Sequence, residues 1–362
     1  MIYVIVFLVS IYFMWKAECA IDLNKKYKSY ILLAVFLPIF IASVRAKEVG
    51  VDMLAYVIPW YNSVSKFDSF WKFCEYCVDS KEYFYYALIY FPSRIFGTLF
   101  PSLFIQQILI MYGVVSTLLY FKRTYKIQLT YAYALYLFFY YNESLCIMRQ
   151  SIAVSFGLFA LTFLLEEKFK KFILCSVIAF LFHNSILAFS LACFGFYLIN
   201  KNVYRKWMKV LCYVLVLMAL SSFSFITDII VSLNVNERFV ERLVEGDQNQ
   251  GGYLTIALYA FFVFIPFFLK YLLGKKIHID YVWIFPVVGF IFVVLAKQSM
   301  YFGRMSYPFL CCLIITLAHS LKNQTILKYV ILLLVISYWY YVNAISDTWV
   351  TYNYIMDSNY NF

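Results

Sequence analysis

The sequence predicts an all-α polytopic integral membrane protein with about a dozen crossings. Three observations carry that prediction. The 362 residues are 64% hydrophobic and only 14% charged, with a mean hydropathy of +0.78. Soluble chains carry about 25% charged residues, and a soluble core cannot bury this much apolar surface. Apolar runs recur every 20 to 30 residues, each close to the roughly 17–25 residues that a spanning helix needs. The joints between them are short, and their charge alternates. The runs show no period-two alternation, which excludes a β-barrel.

The elements follow in order. The run 2–16 has no basic stretch before it and no small-residue cleavage site after it, so it reads as a first transmembrane helix rather than a cleaved signal. Further spans lie at 29–44, 84–100, 103–121, 128–141, 151–166, 171–182, 185–200, 208–231, 253–272, 281–296, 305–320 and 327–345. Spans 84–100 and 103–121 cannot both cross while their flanking joints stay on opposite sides. Pro92, Arg94, Gly97 and Pro101 sit there, a pattern that suits a re-entrant or broken helix packed within protein. The chain reads as one transmembrane domain over 1–362, with outer loops at 45–82 and 231–252. The second loop contains a surface-helix pattern ending at Gly246, placed to cover a site as a lid.

Charge sets the expected orientation. Every second joint is basic, and these joints hold 19 of the 30 Lys and Arg residues, while 14 of the 19 acids fall on the opposite side. The positive-inside rule puts the basic joints in the cytoplasm and both termini outside. The net charge of +11 is therefore topological, and no nucleic-acid partner is expected. Cys74 and Cys77 form a lone C-x-x-C without a second pair, too little for a zinc site. No P-loop, GxGxxG, HExxH or DxD motif is present, and no metal or cofactor is expected.

Polar residues gather at span ends on the outer face. Arg45, Gly50, Asp52 and Tyr56 follow the second span, and Glu82 opens the third. Asn142, Glu143, Arg149 and Gln150 join the fifth and sixth spans, and Glu143 reads as a solvated loop acid. His183 occupies the tight turn after the seventh, and Arg304 and Tyr307 stand at the start of the twelfth. Arginine near hydrocarbon costs a few kcal/mol, so three arginines at one depth point to a shared purpose. Arginine grips phosphate through a planar, bidentate fork, and a helix N-terminus adds partial positive charge. The expectation is an anion site for phosphate or pyrophosphate built from Arg149, Arg304 and Arg45, with Gln150, Asn142 and Tyr307 beside them. Asp52, Glu82 and His183 are the candidate proton acceptors.

Three stretches then resemble the Wzy-type polysaccharide polymerases, in particular the EpsG-like branch. They are R-A-K-E-V-G-V-D-x-x-x-Y (Arg45 to Tyr56) with Glu82 after it, N-E-S-L-C-I-M-R-Q-S-I-A (Asn142 to Ala153) with F-H-N-S (Phe182 to Ser185), and Y-F-G-R-M-S-Y (Tyr301 to Tyr307). The resemblance in hydropathy and order covers nearly the whole chain. It implies a GT-C-like multi-pass enzyme of the bacterial cytoplasmic membrane, with its active face periplasmic or extracellular. The implied reaction moves a growing glycan from undecaprenyl pyrophosphate to the non-reducing end of an incoming lipid-linked unit, making O-antigen, capsular or exopolysaccharide. The lipid-linked oligosaccharide and membrane lipid are the implied partners, together with a chain-length regulator and a flippase. His183 or Asp52 would be the base, with Glu82 third. A ligase acting on the same carrier is the nearest alternative. A flippase fits less well, because it would line mid-membrane with charge and show repeat symmetry.

Overall fold

The computed structural model describes residues 2–77, 82–201, 253–273, 281–297, 300–346 and 351. The expected span 208–231 and the lid segment 231–252 lie outside the described residues. All regular elements within them are helical. Among the described residues, five helical stretches are long and apolar enough to cross a membrane: Ile2–Asp22, Phe100–Tyr125, Met148–Leu165, Phe302–Ser320 and Thr325–Ile345.

The chain opens with α1 (Ile2–Asp22) and α2 (Lys28–Ser43), joined by a turn in which Asn24 takes a left-handed backbone, φ 54°. After α2 the loop is not irregular. It holds a π-helical turn (Met53–Val57), then α3 (Ile58–Ser63) and α4 (Phe70–Tyr76). These pieces are too short for a spanning-length pattern to reveal them. Next come α5 (Tyr83–Phe96) and α6 (Phe100–Tyr125). Hydroxyls tie the 61–77 segment to α5 at three points. Tyr86 donates to the Cys77 carbonyl at 2.7 Å, Tyr90 to that of Phe67 at 3.2 Å, and Tyr61 to that of Gly97 at 2.7 Å. Helix α5 therefore stays with the 61–77 segment from end to end. The 26 residues of α6 extend about 39 Å, enough to span a bilayer, so of the two doubtful runs α6 is the one of crossing length.

Helix α7 (Leu129–Phe139) is the central strut, with Leu129 and every residue from Tyr131 to Phe139 buried. A helix apolar on all sides must sit inside the bundle. Its free N-terminal amides are capped by Glu18 of α1, which accepts from Leu129 N at 2.8 Å and Thr130 N at 2.9 Å. Then follow α8 (Tyr141–Cys146), α9 (Met148–Leu165), α10 (Phe169–Phe182) and α11 (Ile186–Asn200). Gly113 of α6 lets that helix approach α9, since a Cβ there would lie 2.6 Å from the Ser155 carbonyl oxygen. Further along the described residues come α12 (Tyr253–Leu273), α13 (Ile284–Leu295), α14 (Met300–Leu310), α15 (Leu313–Ser320) and α16 (Thr325–Tyr340). The expected span 305–320 thus begins earlier and breaks between α14 and α15.

Prolines explain two cross-links. A helical proline leaves the carbonyl four residues earlier without its amide partner, and lipid supplies no water to replace it. Pro38 frees the Ala34 carbonyl, which accepts from Ser10 of α1 and from the Tyr133 hydroxyl of α7 at 3.1 Å. Pro308 frees the Arg304 carbonyl, which accepts from Gln150 Nε2 of α9.

Candidate functional site

The site forms at the end of the bundle where α9 and α14 begin and α10 ends. Arg149 is the second residue of α9. The chain kinks at Ile147 (φ −92°, ψ 56°), which separates α8 from α9 and leaves a fresh helix N-terminus. Gly50 lets the loop after α2 close onto this kink. Its φ of +99° favours glycine, and a Cβ there would sit 2.6 Å from the Leu145 carbonyl oxygen. That approach brings the Asp52 carboxylate to the backbone N–H of Met148 at the start of α9, where the helix dipole favours negative charge.

Glu82 organises the centre. It precedes α5 and is only 1% exposed. Its Oε2 accepts from Arg149 Nη1 at 2.7 Å, and its Oε1 pairs with Nδ1 of His183. A guanidinium is always charged and holds its partner as a carboxylate, so Nδ1 of His183 is the donor. In the neutral ring the other nitrogen, Nε2, is an acceptor. His183 caps the end of α10 in extended backbone (φ −162°, ψ 128°), which swings its ring out of the helix toward Glu82.

Aromatic rings surround Arg149. Its guanidinium carbon lies 4.6 Å from the Tyr56 ring centre, 5.5 Å from Trp60 and 6.0 Å from Tyr85. These cation–π contacts fix the guanidinium in orientation. Trp60 and Tyr85 were not singled out by sequence. The available signal was Tyr56 and Trp60 one helical turn apart, four and eight residues after Asp52.

Asp52 faces the same charges. Burial raises its carboxyl above the ordinary carboxylate range, opposed by Arg149, Arg304, the Met148 amide and His183. Arg304 is exposed near the start of α14, and the helices carrying the two arginines are joined by Gln150 and by a 3.3 Å contact between the Ser151 and Tyr307 hydroxyls. The structure thus brings Asp52, Glu82, Arg149, His183 and Arg304 into one electrostatic group.

The other candidates have structural partners. Arg45 is 2% exposed, and its guanidinium donates to the Ala42 carbonyl and to that of Leu145 at 3.3 Å, clamping the loop to α8. Asn142 accepts from Trp339 Nε1 at 2.9 Å and donates to Thr351 Oγ1 at 2.9 Å, tying α8 to α16 and the following segment. Tyr307 stacks edge-on against Tyr140, with ring centres 5.7 Å apart. Glu143 is partly buried in α8 rather than free in a loop, and burial pushes its pKa up to about 8. Cys74 and Cys77 are buried free thiols, raised by burial to about 11 and about 12. Among the described residues, no group of three or more His, Cys, Asp or Glu could hold a metal ion.

Chemically, this arrangement offers cationic donors on two helices, an imidazole held by a buried carboxylate, and aromatic faces beside them. A sequence-family model, that of the EpsG family, matches residues 28–355. No curated protein and no solved structure matches the chain.

Proposed function

The chain belongs to the EpsG family, and from that premise we propose that it polymerises lipid-linked oligosaccharide units into a surface polysaccharide, either O-antigen, capsule or exopolysaccharide. The family suggests a polymerase-type role, and the observation that carries the reading to a mechanism is the bridge through Glu82. One buried carboxylate aligns a phosphate-gripping side chain, Arg149, with a proton acceptor, His183.

In this reading the donor is a growing glycan on undecaprenyl pyrophosphate and the acceptor is a sugar hydroxyl of the incoming unit. The hydroxyl gives its proton to His183 Nε2 as its oxygen bonds to the donor's anomeric carbon. The bond from that carbon to the lipid pyrophosphate breaks, and the pyrophosphate keeps the electron pair. Arg149 and Arg304 stabilise the developing charge, which is the costliest part of the step. Tyr56 and Trp60 offer rings for sugar stacking. The reading places the chain in the bacterial cytoplasmic membrane with about a dozen crossings and the site on the outer face.

The test is glycan profiling by gel in a deletion strain complemented with wild type or Arg149→Ala at equal membrane levels. Loss of the ladder to a single repeat unit, unrestored by Arg149→Ala, supports the reading. Long chains left on the lipid carrier would point to a ligase instead, and an intact ladder in the deletion strain would overturn polymerisation.

A further inference from the structure

The opposite end of the bundle carries a second set of charges. There, α1 ends at Asp22, α6 ends at Tyr125, α7 begins at Leu129, and α15 and α16 are joined through Lys322 and Asn323. Two adjoining cavities open between these ends, of about 500 Å³ and about 490 Å³, sharing Asp22, Lys122 and Lys126.

Five cations line them, Lys25, Lys122, Arg123, Lys126 and Lys322, against two carboxylates, Glu18 and Asp22. Both carboxylates are already engaged. Lys122 Nζ lies 2.8 Å from Glu18 and 2.9 Å from Asp22. Glu18 is further satisfied by the two α7 amides and by the Thr130 hydroxyl at 2.6 Å. Among the described residues no carboxylate forms an ion pair with Lys25, Arg123, Lys126 or Lys322. Arg123 is held instead by Tyr27, whose hydroxyl accepts from it and whose ring centre lies 5.9 Å from its guanidinium carbon. Lys126 takes a left-handed backbone, φ 56°, which ends α6 and turns the chain at the cavity.

The positive-inside rule accounts for the sign of each joint. It does not account for three separate joints converging on one hollow while the acids nearby are neutralised by a single lysine. The wall also identifies the side from which a ligand would come. Trp15 lines the first cavity, is 47% exposed, and has Lys16 Nζ 4.9 Å from its ring centre. A half-exposed tryptophan beside a lysine near the end of a spanning helix marks the headgroup layer. We infer that this hollow is a binding site for the phosphate headgroup of an anionic phospholipid. Lys126, Lys322, Lys25 and Arg123 supply the charge, and Trp15 lies against the lipid. The site is independent of the catalytic reading.

The test is thermal unfolding of the detergent-purified full chain with short-chain phosphatidylglycerol, matched phosphatidylcholine or inorganic phosphate added. A ligand bound only to the folded state raises Tm by mass action. Phosphatidylglycerol is expected to raise Tm by several degrees and phosphatidylcholine by none. The Lys126→Gln/Lys322→Gln double variant should lose most of that shift. Lys170→Gln, in a different basic joint, should keep it. Helix content by circular dichroism confirms that each variant is folded, and native mass spectrometry of the wild type, counting retained phosphatidylglycerol, serves if the double variant is not. Equal shifts from both lipids, equal damage by Lys170→Gln, or no retained lipid would overturn the site. A full shift from inorganic phosphate alone would overturn its assignment to lipid.

Discussion

Arg149 Nη1 donates to Glu82 Oε2 at 2.7 Å, and the carboxylate that receives it is 1% exposed. Removing one partner of such a pair leaves an uncompensated buried charge, which costs more than the pair contributes. The same carboxylate holds the His183 ring. Glu82 therefore acts on two groups at once, and its loss should disturb both.

Glu82→Gln is expected to abolish polymerisation while the protein still folds. A neutral amide offers one acceptor oxygen, so it cannot serve a guanidinium and an imidazole N–H together. Arg149→Lys should do little better than Arg149→Ala, because a lysine cannot reproduce the planar fork. The loss for either arginine variant should be about 100- to 1000-fold, the scale for deleting one charge-stabilising donor. Turnover of a lipid-linked unit in proteoliposomes reads both. Activity above a tenth of wild type in Glu82→Gln would remove it from the site.

Asp52 predicts a pH response in stability. Burial raises the Asp52 carboxyl, so its neutral form persists above the usual carboxylate range. The folded state then gains stability from the protonated acid. That gain is complete below the unfolded pKa and is lost as pH rises through the folded one. Asp52→Asn should remove this acid-side stabilisation and leave turnover and its pH profile in place. If Asp52 were the base, Asp52→Asn would instead flatten the profile and abolish turnover.

Glu143 gives a cleaner stability test, lying apart from the proposed chemistry. Its pKa is pushed by burial to about 8. The chain should therefore lose thermal stability as pH rises from about 5 to beyond 8, as the folded state gives up a proton it had retained. Glu143→Gln keeps the shape without the titration, so its Tm should be flatter over that range. Parallel pH curves for the two proteins would show that Glu143 is not the group responsible.

Much of this was legible in the sequence, and the omissions have physical causes. Runs such as 29–44 and 185–200 match α2 and α11 within a residue or two, because apolar length is dictated by the bilayer. Arg149, Glu82 and His183 stood out because ionisable residues at span ends are costly and therefore few. Arg45 shares its depth and type with Arg149, although the spacing to Gly50 made it the weaker candidate, and its guanidinium clamps carbonyls of Ala42 and Leu145. Nothing local distinguishes a structural arginine from a ligand-binding one, since the partner carbonyl of Leu145 lies 100 residues away. The short helices between α2 and α5 were missed for a related reason. Their aromatics pack onto α5, as Phe70 does on Phe91 with ring centres 5.2 Å apart, and no spanning-length pattern records that.

Gly50 should tolerate no side chain. Gly50→Ala meets both a φ of +99° and a carbonyl oxygen 2.6 Å away. The positive-φ backbone alone costs alanine about 1–2 kcal/mol, and the contact forces the loop off the α8–α9 kink. Asp52 then loses the Met148 amide, so activity should fall further than Tm does. Wild-type turnover in folded Gly50→Ala would mean that this approach does not position the site.

The Gln150–Arg304 link can be separated from side-chain chemistry by a double-mutant cycle. Gln150→Leu strips the Arg304 carbonyl of its donor. An unsatisfied buried polar group costs about 1–3 kcal/mol, so Tm should drop clearly. Pro308→Ala restores a backbone amide at the position that would bond this carbonyl within α14. In that background Gln150→Leu should cost little, giving a coupling of about 1 kcal/mol or more between residues on different helices. Additive losses would show that Gln150 does not compensate for the proline. Strong coupling would show that the two arginine-bearing helices are held in register by a carbonyl that Pro308 leaves free, which is how a helix-breaking residue can stiffen a neighbouring site.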